Sequence, residues 1–147
     1  MDVYAVDMSS PVPVRFPADL DRRVSSRARQ SGRPKSGVVL IAVDEWLRMQ
    51  DHPRITFTAN NLGERVARVG GRMDVRVVVE SWLAHDGEER TVARVADATG
   101  LDPIEVSAAL AYWADYAAEI DNAIALQDEA AQAAYAAWQR RRALGIV

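Results

Sequence analysis

Apolar residues alternate with other residues over positions 12–17, VPVRFP, and this period of two predicts a short strand with one apolar face. After this segment the period lengthens. Leu20, Val24 and Ala28 recur at every fourth position, which predicts one face of a helix. Gly32 stands where a residue just past a helix end is expected. The opening of the chain is therefore predicted to be a strand followed by a helix.

A second helix is predicted over residues 37–49, with Ser36 as its N-cap. The residues expected to be buried on this helix are Val38, Val39, Ala42, Trp46 and part of Leu47. One strand and two helices in about forty residues bury too little apolar surface to fold alone, and a lone strand has no pairing partner. Two chains would remove both deficits by pairing their strands into an antiparallel ribbon and interleaving their helices.

The middle of the chain predicts a small hairpin over residues 55–69, where the segments ITFT and ERVARV alternate around a turn at 60–63. Gly70 and Gly71 end this hairpin. Three helices are then predicted, each beginning after a residue that can act as an N-cap. These N-cap residues are Asp74, Thr91 and Asp102.

The third of these helices has a well-defined start, because Pro103 lies in its first turn and Glu105 completes a capping box with Asp102. It is expected to end at about Ile120. A further helix is predicted over residues 121–144, which contain neither Pro nor Gly. Its apolar stripe is rich in alanine and carries two large aromatic residues. The residues near this face are Ile124, Ala131, Tyr135 and Trp138.

Together these elements predict a mainly α fold with short β segments, organised in three parts. Residues 1–50 form a dimerisation module of one strand and two helices. Residues 51–122 form a helical domain with a small hairpin, and residues 123–147 form an amphipathic C-terminal helix.

Residues 91–113, TVARVADATGLDPIEVSAALAYW, have the spacing of a helix-turn-helix. Ala96 is small enough for close helix contact, and Gly100 lies at the turn. The second helix displays Glu105 and no basic residue, and DNA phosphates repel an acidic helix. We therefore expect this unit to serve packing or protein contact.

Residues 12–47, VPVRFPADLDRRVSSRARQSGRPKSGVVLIAVDEWL, resemble the ribbon-helix-helix family of CopG- and Arc-like DNA-binding domains. The shared pattern is an alternating strand ending in apolar-Pro, a helix, a Gly-basic-small stretch, and a helix opening with Ser. This resemblance implies a dimer that reads bases through outward strand residues and holds phosphate at the start of the second helix. It makes Arg15 the candidate base reader, and the candidate phosphate contacts are Arg33, Lys35 and Ser36.

Pro11 and Pro13 depart from that family pattern, because they stand where its members usually carry polar reading residues. Proline offers no side-chain hydrogen bond and no N–H group for strand pairing. Two alternatives therefore stay open: Arg15 is a solvated charge at an edge, or the ribbon serves dimerisation without binding DNA.

Three further segments resemble the DUF433 family: HPRI at 52–55, VARVGGRMDVRVVVESWLAHDG at 66–87 and IEVSAALAYWADYAAEID at 104–121. Arg72 of the family's Gly-Thr-Arg-apolar-Pro-Val motif is retained, whereas Gly71 and Asp74 replace its Thr and Pro. The resemblance implies association with toxin–antitoxin operons, often beside a PIN-like nuclease. The alternative role of Arg72 is a structural ion pair.

The charge distribution is uneven, although the 147 residues carry a net charge of only −3. Residues 11–36 hold seven basic and two acidic residues, which suits a polyanion such as operator DNA. Residues 101–139 hold seven acidic residues and no Lys or Arg. The acidic part of the chain is therefore expected to have a different role.

Cysteine is absent, which excludes disulfides, thiol catalysis and thiolate metal sites. The two histidines lie 33 positions apart, so neither has a second histidine nearby in sequence to share a metal. The sequence contains neither a nucleophile–base arrangement nor a phosphate-binding glycine loop. We therefore expect a protein that is not an enzyme and that has no catalytic residue, metal site or cofactor. The sequence has no apolar stretch of roughly 18 residues, which a membrane-spanning helix requires. Its N-terminus also lacks the basic start and apolar core of a signal peptide. We therefore expect a cytoplasmic protein without membrane contact.

The candidate toxin-binding residues lie at the end of the last predicted helix. They are Tyr135, Trp138, Arg140, Arg141 and Arg142. Arginine can pair bidentately with the metal-holding carboxylates of a PIN nuclease. The alternatives are a helix packed on its own domain or on a dimer mate, with arginines that complement the helix dipole.

The expected function is therefore that of an antitoxin of a type II toxin–antitoxin system. A homodimer or higher homo-oligomer would bind operator DNA as an autorepressor, and its C-terminal region would neutralise a cognate PIN-like ribonuclease toxin. The alternatives are an interaction module that dimerises without binding DNA, and a stand-alone transcriptional regulator.

Overall fold

The computed structural model describes residues 11–146 and shows a mainly helical chain with one short antiparallel sheet. The elements in chain order are α1 (Ala18–Ser31), α2 (Lys35–Asp51), β1 (Ile55–Ala59), β2 (Arg65–Val69), β3 (Met73–Asp74), α3 (Val75–Leu83), a 3₁₀ turn (Gly87–Glu89), α4 (Val92–Thr99), α5 (Pro103–Asp115) and α6 (Ala117–Ala143). The first ten residues of the predicted dimerisation module, and the last residue of the chain, lie outside the described residues. Within residues 11–146, none of the helices is both long and apolar enough to cross a membrane.

The chain divides into two compact units, Met1–Ala42 and Val43–Val147. In the first unit, α1 confirms the predicted helix. Gly32 follows it with a φ of 62°, and the N–H of Arg33 returns to the carbonyl of Ala28 at 3.0 Å. Such a left-handed residue after a helix is favourable for glycine because it has no Cβ.

Residues 11–17 contain neither helix nor strand in the single chain, although residues 12–17 were predicted to form a strand. A strand is stabilised by hydrogen bonds to a neighbouring strand, and this segment pairs with no strand of the described residues. Val12 and Val14 on its apolar side are exposed. The paired ribbon stays a prediction, because it requires a second chain.

The prediction that Ser36 caps the second helix is wrong. The carbonyl of Pro34 accepts the first helical hydrogen bond from the N–H of Val38 at 3.2 Å, so Ser36 lies inside the first turn. Arg33 precedes a proline and is therefore disfavoured from helical geometry, which allows the helix to begin directly after Pro34.

The predicted buried face of α2 is also wrong for the single chain. Val38 and Val39 are half-buried, but Ala42, Trp46 and Leu47 are exposed, and α2 contains no buried residue. None of the other described elements covers these apolar side chains. The side chains that were expected to form a core are therefore left in contact with water.

In the second unit the predicted hairpin is confirmed: β1 pairs antiparallel with β2, with Ile55 opposite Val69 and Ala59 opposite Arg65. A third strand, β3, extends the sheet in the order β1-β2-β3. This strand was not predicted, because two residues are too few to show an alternating pattern.

The three predicted helix starts of the second unit are confirmed, but the N-cap residue Asp74 makes no capping hydrogen bond. The hydroxyl of Thr91 accepts from the N–H of Arg94 at 3.2 Å, and Glu105 accepts from the N–H of Asp102 at 3.0 Å. Asp74 occupies the N-cap position of α3 but makes no capping hydrogen bond, because its carboxylate pairs with Arg68 at 3.1 Å.

The core of this unit lies between the sheet and helices α3, α4, α5 and the first turns of α6. The largest fully buried side chains are Tyr112, Ile55, Val69, Val75, Val78, Val79, Val95 and Val106. Ala96 is buried as well, as its predicted role in close helix contact requires.

The predicted end of the third helix at Ile120 is wrong, since α5 ends at Asp115 and α6 begins at Ala117. The break is at Tyr116, whose backbone leaves helical geometry with φ −125° and ψ 41°. Its ring packs on Tyr112 and lies under the guanidinium of Arg48. Tertiary contacts therefore set this break, without the Gly or Pro that would mark it in sequence.

Candidate functional site

Three of the four predicted DNA-binding residues lie together at the start of α2. Arg33 and Ser36 are exposed, and Lys35 is the first residue of the helix. The first turn of a 17-residue helix presents backbone N–H groups without intrahelical partners, together with the positive end of the helix dipole. Such a helix start can hold a phosphate.

Lys35 is already paired, because its Nζ lies 2.5 Å from Oδ1 of Asp21 on α1. Both side chains are close to half exposed, so the pair contributes little to stability and can be exchanged for another anion. The carboxylate of Asp21 is therefore the group that an incoming phosphate would displace.

Arg15 lies apart from this helix start, in the segment 11–17 that has no regular secondary structure. Its side chain is exposed, and no hydrogen bond or ion pair joins it to another residue of the described range. The single chain therefore presents the four predicted DNA-binding residues in two separate places.

An open groove lies on α1 and the start of α2. The apolar side chains of Leu20, Val24 and Val38 line it, and Arg23 and Arg27 contribute basic groups. Between residues 11 and 42 the only buried residue is Ala28. Residues 11–42 therefore line an apolar groove that none of the other described residues of this unit fills.

The apolar side of α2 is similarly uncovered. Leu40 is 71% exposed, Trp46 is 56% exposed, and Val43 and Leu47 are each 51% exposed. These four residues lie at i, i+3, i+6 and i+7, so they share one side of the helix. A contiguous apolar patch of this kind is typical of a protein interface.

The predicted toxin-binding residues lie on the exposed half of α6. Ile120 is buried and Ile124 half-buried against the core of the second unit, whereas every residue of 125–146 except Ala136 and Ala137 is exposed. The alternative of a C-terminal helix packed along its own domain is therefore wrong beyond Ile124.

Tyr135 and Trp138 stack on this helix with their ring centroids 5.8 Å apart. The guanidinium of Arg142 lies 5.3 Å from the centroid of the Trp138 ring. Arg140 and Arg141 are exposed in the last turn, where positive charge also complements the helix dipole. The structure thus brings the five predicted residues together on one exposed helix end.

A polar and aromatic cluster that the sequence did not predict joins the end of α2 to α5 and α6. Nη1 of Arg48 donates to the hydroxyl of Tyr112 at 2.9 Å and to Glu119 at 2.5 Å, and the Tyr112 hydroxyl donates to Glu119 at 3.0 Å. Burial alone would lower the pKa of Arg48, but these hydrogen bonds raise it above its ordinary value. Burial raises the pKa of Tyr112, so its hydroxyl keeps its proton.

His52 belongs to the same cluster. Its Nε2 lies 3.0 Å from Oδ2 of Asp115, and its ring packs edge-on against Tyr112 and Tyr116. No sequence signal assembles these residues, because Arg48 and His52 lie more than fifty positions before Tyr112 and Glu119. Their contacts hold the C-terminal half of α2 in place on the second unit.

Arg72, the retained residue of the DUF433-like motif, forms an ion pair with Glu105 at 2.6 Å. The N–H of Asp102, followed by the Arg72 guanidinium, lowers the pKa of Glu105. The expectation that α5 displays Glu105 on its surface is therefore wrong, because this carboxylate is buried and engaged.

Among residues 11–146, no group of three or more His, Cys, Asp or Glu side chains is arranged to hold a metal ion. Comparison of the whole chain with protein-family models, with curated proteins and with solved structures found no match in any of the three. The ribbon-helix-helix and DUF433 resemblances therefore rest on the residues quoted for them and stay predictions.

Proposed function

We propose that this protein is a dimeric DNA-binding antitoxin. The observation that carries the proposal is the uncovered apolar surface of residues 11–42, next to a basic helix start. Residues 11–42 bury only Ala28, which is too little to offset the conformational entropy lost on folding. A second copy would supply the missing side chains and give the segment 12–17 a strand to pair with.

In this dimer the two copies of Arg15 lie on one ribbon, where a guanidinium can address guanine in the major groove. The two α2 starts, with Arg33, Lys35 and Ser36, flank the ribbon and bind phosphates. The excess of seven basic over two acidic residues in 11–36 supplies the long-range attraction to DNA.

The exposed end of α6 is the proposed toxin-binding region. Its stacked aromatic pair offers apolar area, and Arg140–Arg142 offer guanidinium groups that match carboxylates bidentately. A nuclease of the PIN type holds its metal with clustered carboxylates, so an arginine placed among them would neutralise the cluster and block the substrate.

The test is binding of the full chain to duplex DNA from the region upstream of its gene, measured over a range of salt concentrations. We expect Arg33→Ala to weaken binding and to reduce the slope of log K against log[salt] by about one, because one phosphate contact is lost. Arg15→Ala should weaken binding most at the preferred sequence. Arg141→Ala removes the same charge from the tail and is the matched control, with DNA affinity unchanged.

A chain truncated after Gln127 should keep DNA binding and lose neutralisation of the product of the adjacent gene. A truncated chain that still neutralises would contradict the role given to the tail.

The second candidate is an interaction module that dimerises without binding DNA, and the exposed Pro11 and Pro13 favour it. These residues offer no hydrogen bond where a base reader is expected. The same titration separates the two functions: equal affinity of the chain and its Arg15→Ala and Arg33→Ala variants would support the interaction module and contradict the proposal.

A further inference from the structure

We propose that the exposed half of α6, residues 125–143, pairs antiparallel with the same segment of a second copy of this chain. This inference rests on the exposure and residue order of α6. The paired surface includes Tyr135, Trp138 and Arg142, which the proposed function assigns to the toxin, so a toxin would bind this helix end by displacing the second copy.

The first observation is a continuous stripe along α6. Successive residues of this stripe are separated by four and three positions in turn, which is the spacing of residues at the interface of two packed helices. The stripe consists of Ile124, Asp128, Ala131, Tyr135, Trp138 and Arg142. Ile124 packs against the core of the second unit, whereas Ala131, Tyr135 and Trp138 continue the same stripe where no described element covers it.

The sizes along this stripe complement each other when the helix is paired with a reversed copy. If the two-fold axis crosses near position 133, Ala131 of each helix faces Tyr135 of the other. Small residues allow two helix backbones to approach closely, and the large ring then fills the space above the alanine. Eight of the nineteen residues 125–143 are alanine, so the close approach is available along the whole segment.

The charges select the direction of pairing. Asp128 and Glu129 lie near the start of the exposed segment, and Arg140–Arg142 lie at its end. In the antiparallel arrangement the acidic pair of one helix comes within one turn of the arginines of the other. In a parallel arrangement the arginines of both helices would lie side by side and repel one another.

The absence of native cysteine makes this geometry directly testable by cross-linking single-cysteine variants of the full chain. Gln127, Ala134 and Arg141 are exposed and share one edge of the stripe, seven residues apart. With a rise of about 1.5 Å per residue, antiparallel pairing brings Ala134 to within ~3 Å of its twin along the axis but separates Gln127 from its twin by ~18 Å. Gln127 and Arg141 of opposite chains are again offset by only ~3 Å.

We expect Ala134→Cys to form a disulfide-linked dimer under mild oxidation at least about tenfold faster than Gln127→Cys. A mixture of Gln127→Cys and Arg141→Cys should form a mixed dimer, identified by its mass. Adding Trp138→Ala to the Ala134→Cys chain should abolish the cross-link, and the circular dichroism of each variant confirms that it remains helical.

Equal rates for Ala134→Cys and Gln127→Cys would overturn the proposal, because they indicate parallel or random encounters. Slow cross-linking of both variants would overturn it as well, and would leave this surface to a partner other than a second copy. Each variant is tested without DNA or toxin, so failure here leaves the proposed function intact, and failure of the DNA titration leaves this inference intact.

Discussion

The two compact units differ in how much apolar surface they bury within one chain. In Val43–Val147, thirteen hydrophobic side chains are buried in one cluster, whereas residues 11–42 bury only Ala28. Burial of apolar area stabilises a fold by about 25 cal/mol per Å², so residues 43–146 have an internal source of stability that residues 11–42 lack. This difference supports the proposed dimer, in which a second copy would cover the apolar side chains of residues 11–42.

The same contrast recurs within α6. Its first turns contribute Ile120 and Ile124 to the core of the second unit, and the following residues carry Tyr135 and Trp138 into solvent. The helix continues about five turns beyond Ile124, its last contact with the core, and isolated helices are marginal in water. The exposed half of α6 is thus a second place where apolar side chains lie uncovered by the other described residues.

Among the variants that test the difference between the core and the exposed end of α6, Tyr112→Ala is expected to cause the largest loss of stability. Tyr112 is fully buried, and its hydroxyl bonds Arg48 and Glu119, so the variant leaves a cavity and removes two hydrogen bonds. We expect a loss of about 3–5 kcal/mol in the free energy of unfolding of the second unit, measured by urea denaturation.

Tyr135→Ala is the matched control, because it truncates the same side chain at an exposed position. Its effect on the second unit should stay within about 0.5 kcal/mol. Equal losses for the two tyrosines would mean that the end of α6 belongs to the core, and would break the contrast.

The next prediction concerns the difference in stability between Gly70→Ala and Gly71→Ala, which is expected to be smaller than the effect of Tyr112→Ala. Both glycines have a positive φ, 57° and 66°, so both variants carry the strain of a left-handed alanine. A Cβ on Gly70 would lie 2.3 Å from Oε1 of Glu105, whereas Gly71 has no neighbour within 4 Å. Because Glu105 is held by Arg72 and the N–H of Asp102, we expect Gly70→Ala to cost about 1–2 kcal/mol more than Gly71→Ala.

The measurement is the midpoint of thermal or urea unfolding of the two variants side by side. If Gly70→Ala is no less stable than Gly71→Ala, the Arg72–Glu105–Asp102 contacts do not fix this turn.

The sequence predicted local features of the fold well where the signal lies in neighbouring residues. The end of α1 at Gly32, the hairpin of β1 and β2, and the capping box of Asp102 and Glu105 are confirmed. It failed at Tyr116, where the break between α5 and α6 depends on packing against Tyr112 and Arg48, a residue distant in sequence. It also failed at the start of α2, where Pro34 rather than Ser36 accepts the first helical hydrogen bond.

The candidate sites show the same limit. The residues at the start of α2 and at the end of α6 are neighbours in sequence, so their grouping could be predicted. The cluster of Arg48, His52, Tyr112 and Glu119 could not, because it is assembled only by the fold. The pairing of residues 12–17 depends on a second chain, which no pattern within one chain can establish.

The most direct test of the central claim is hydrogen exchange of the full chain at two protein concentrations, read separately for α1 and for α3 and α5. Dilution by about a hundredfold raises the monomer fraction of a tight dimer about tenfold, by mass action. If a second copy completes the first unit, amides of α1 should exchange about tenfold faster on dilution, whereas those of α3 and α5 should not change. Protection of α1 that is the same at both concentrations would contradict the account.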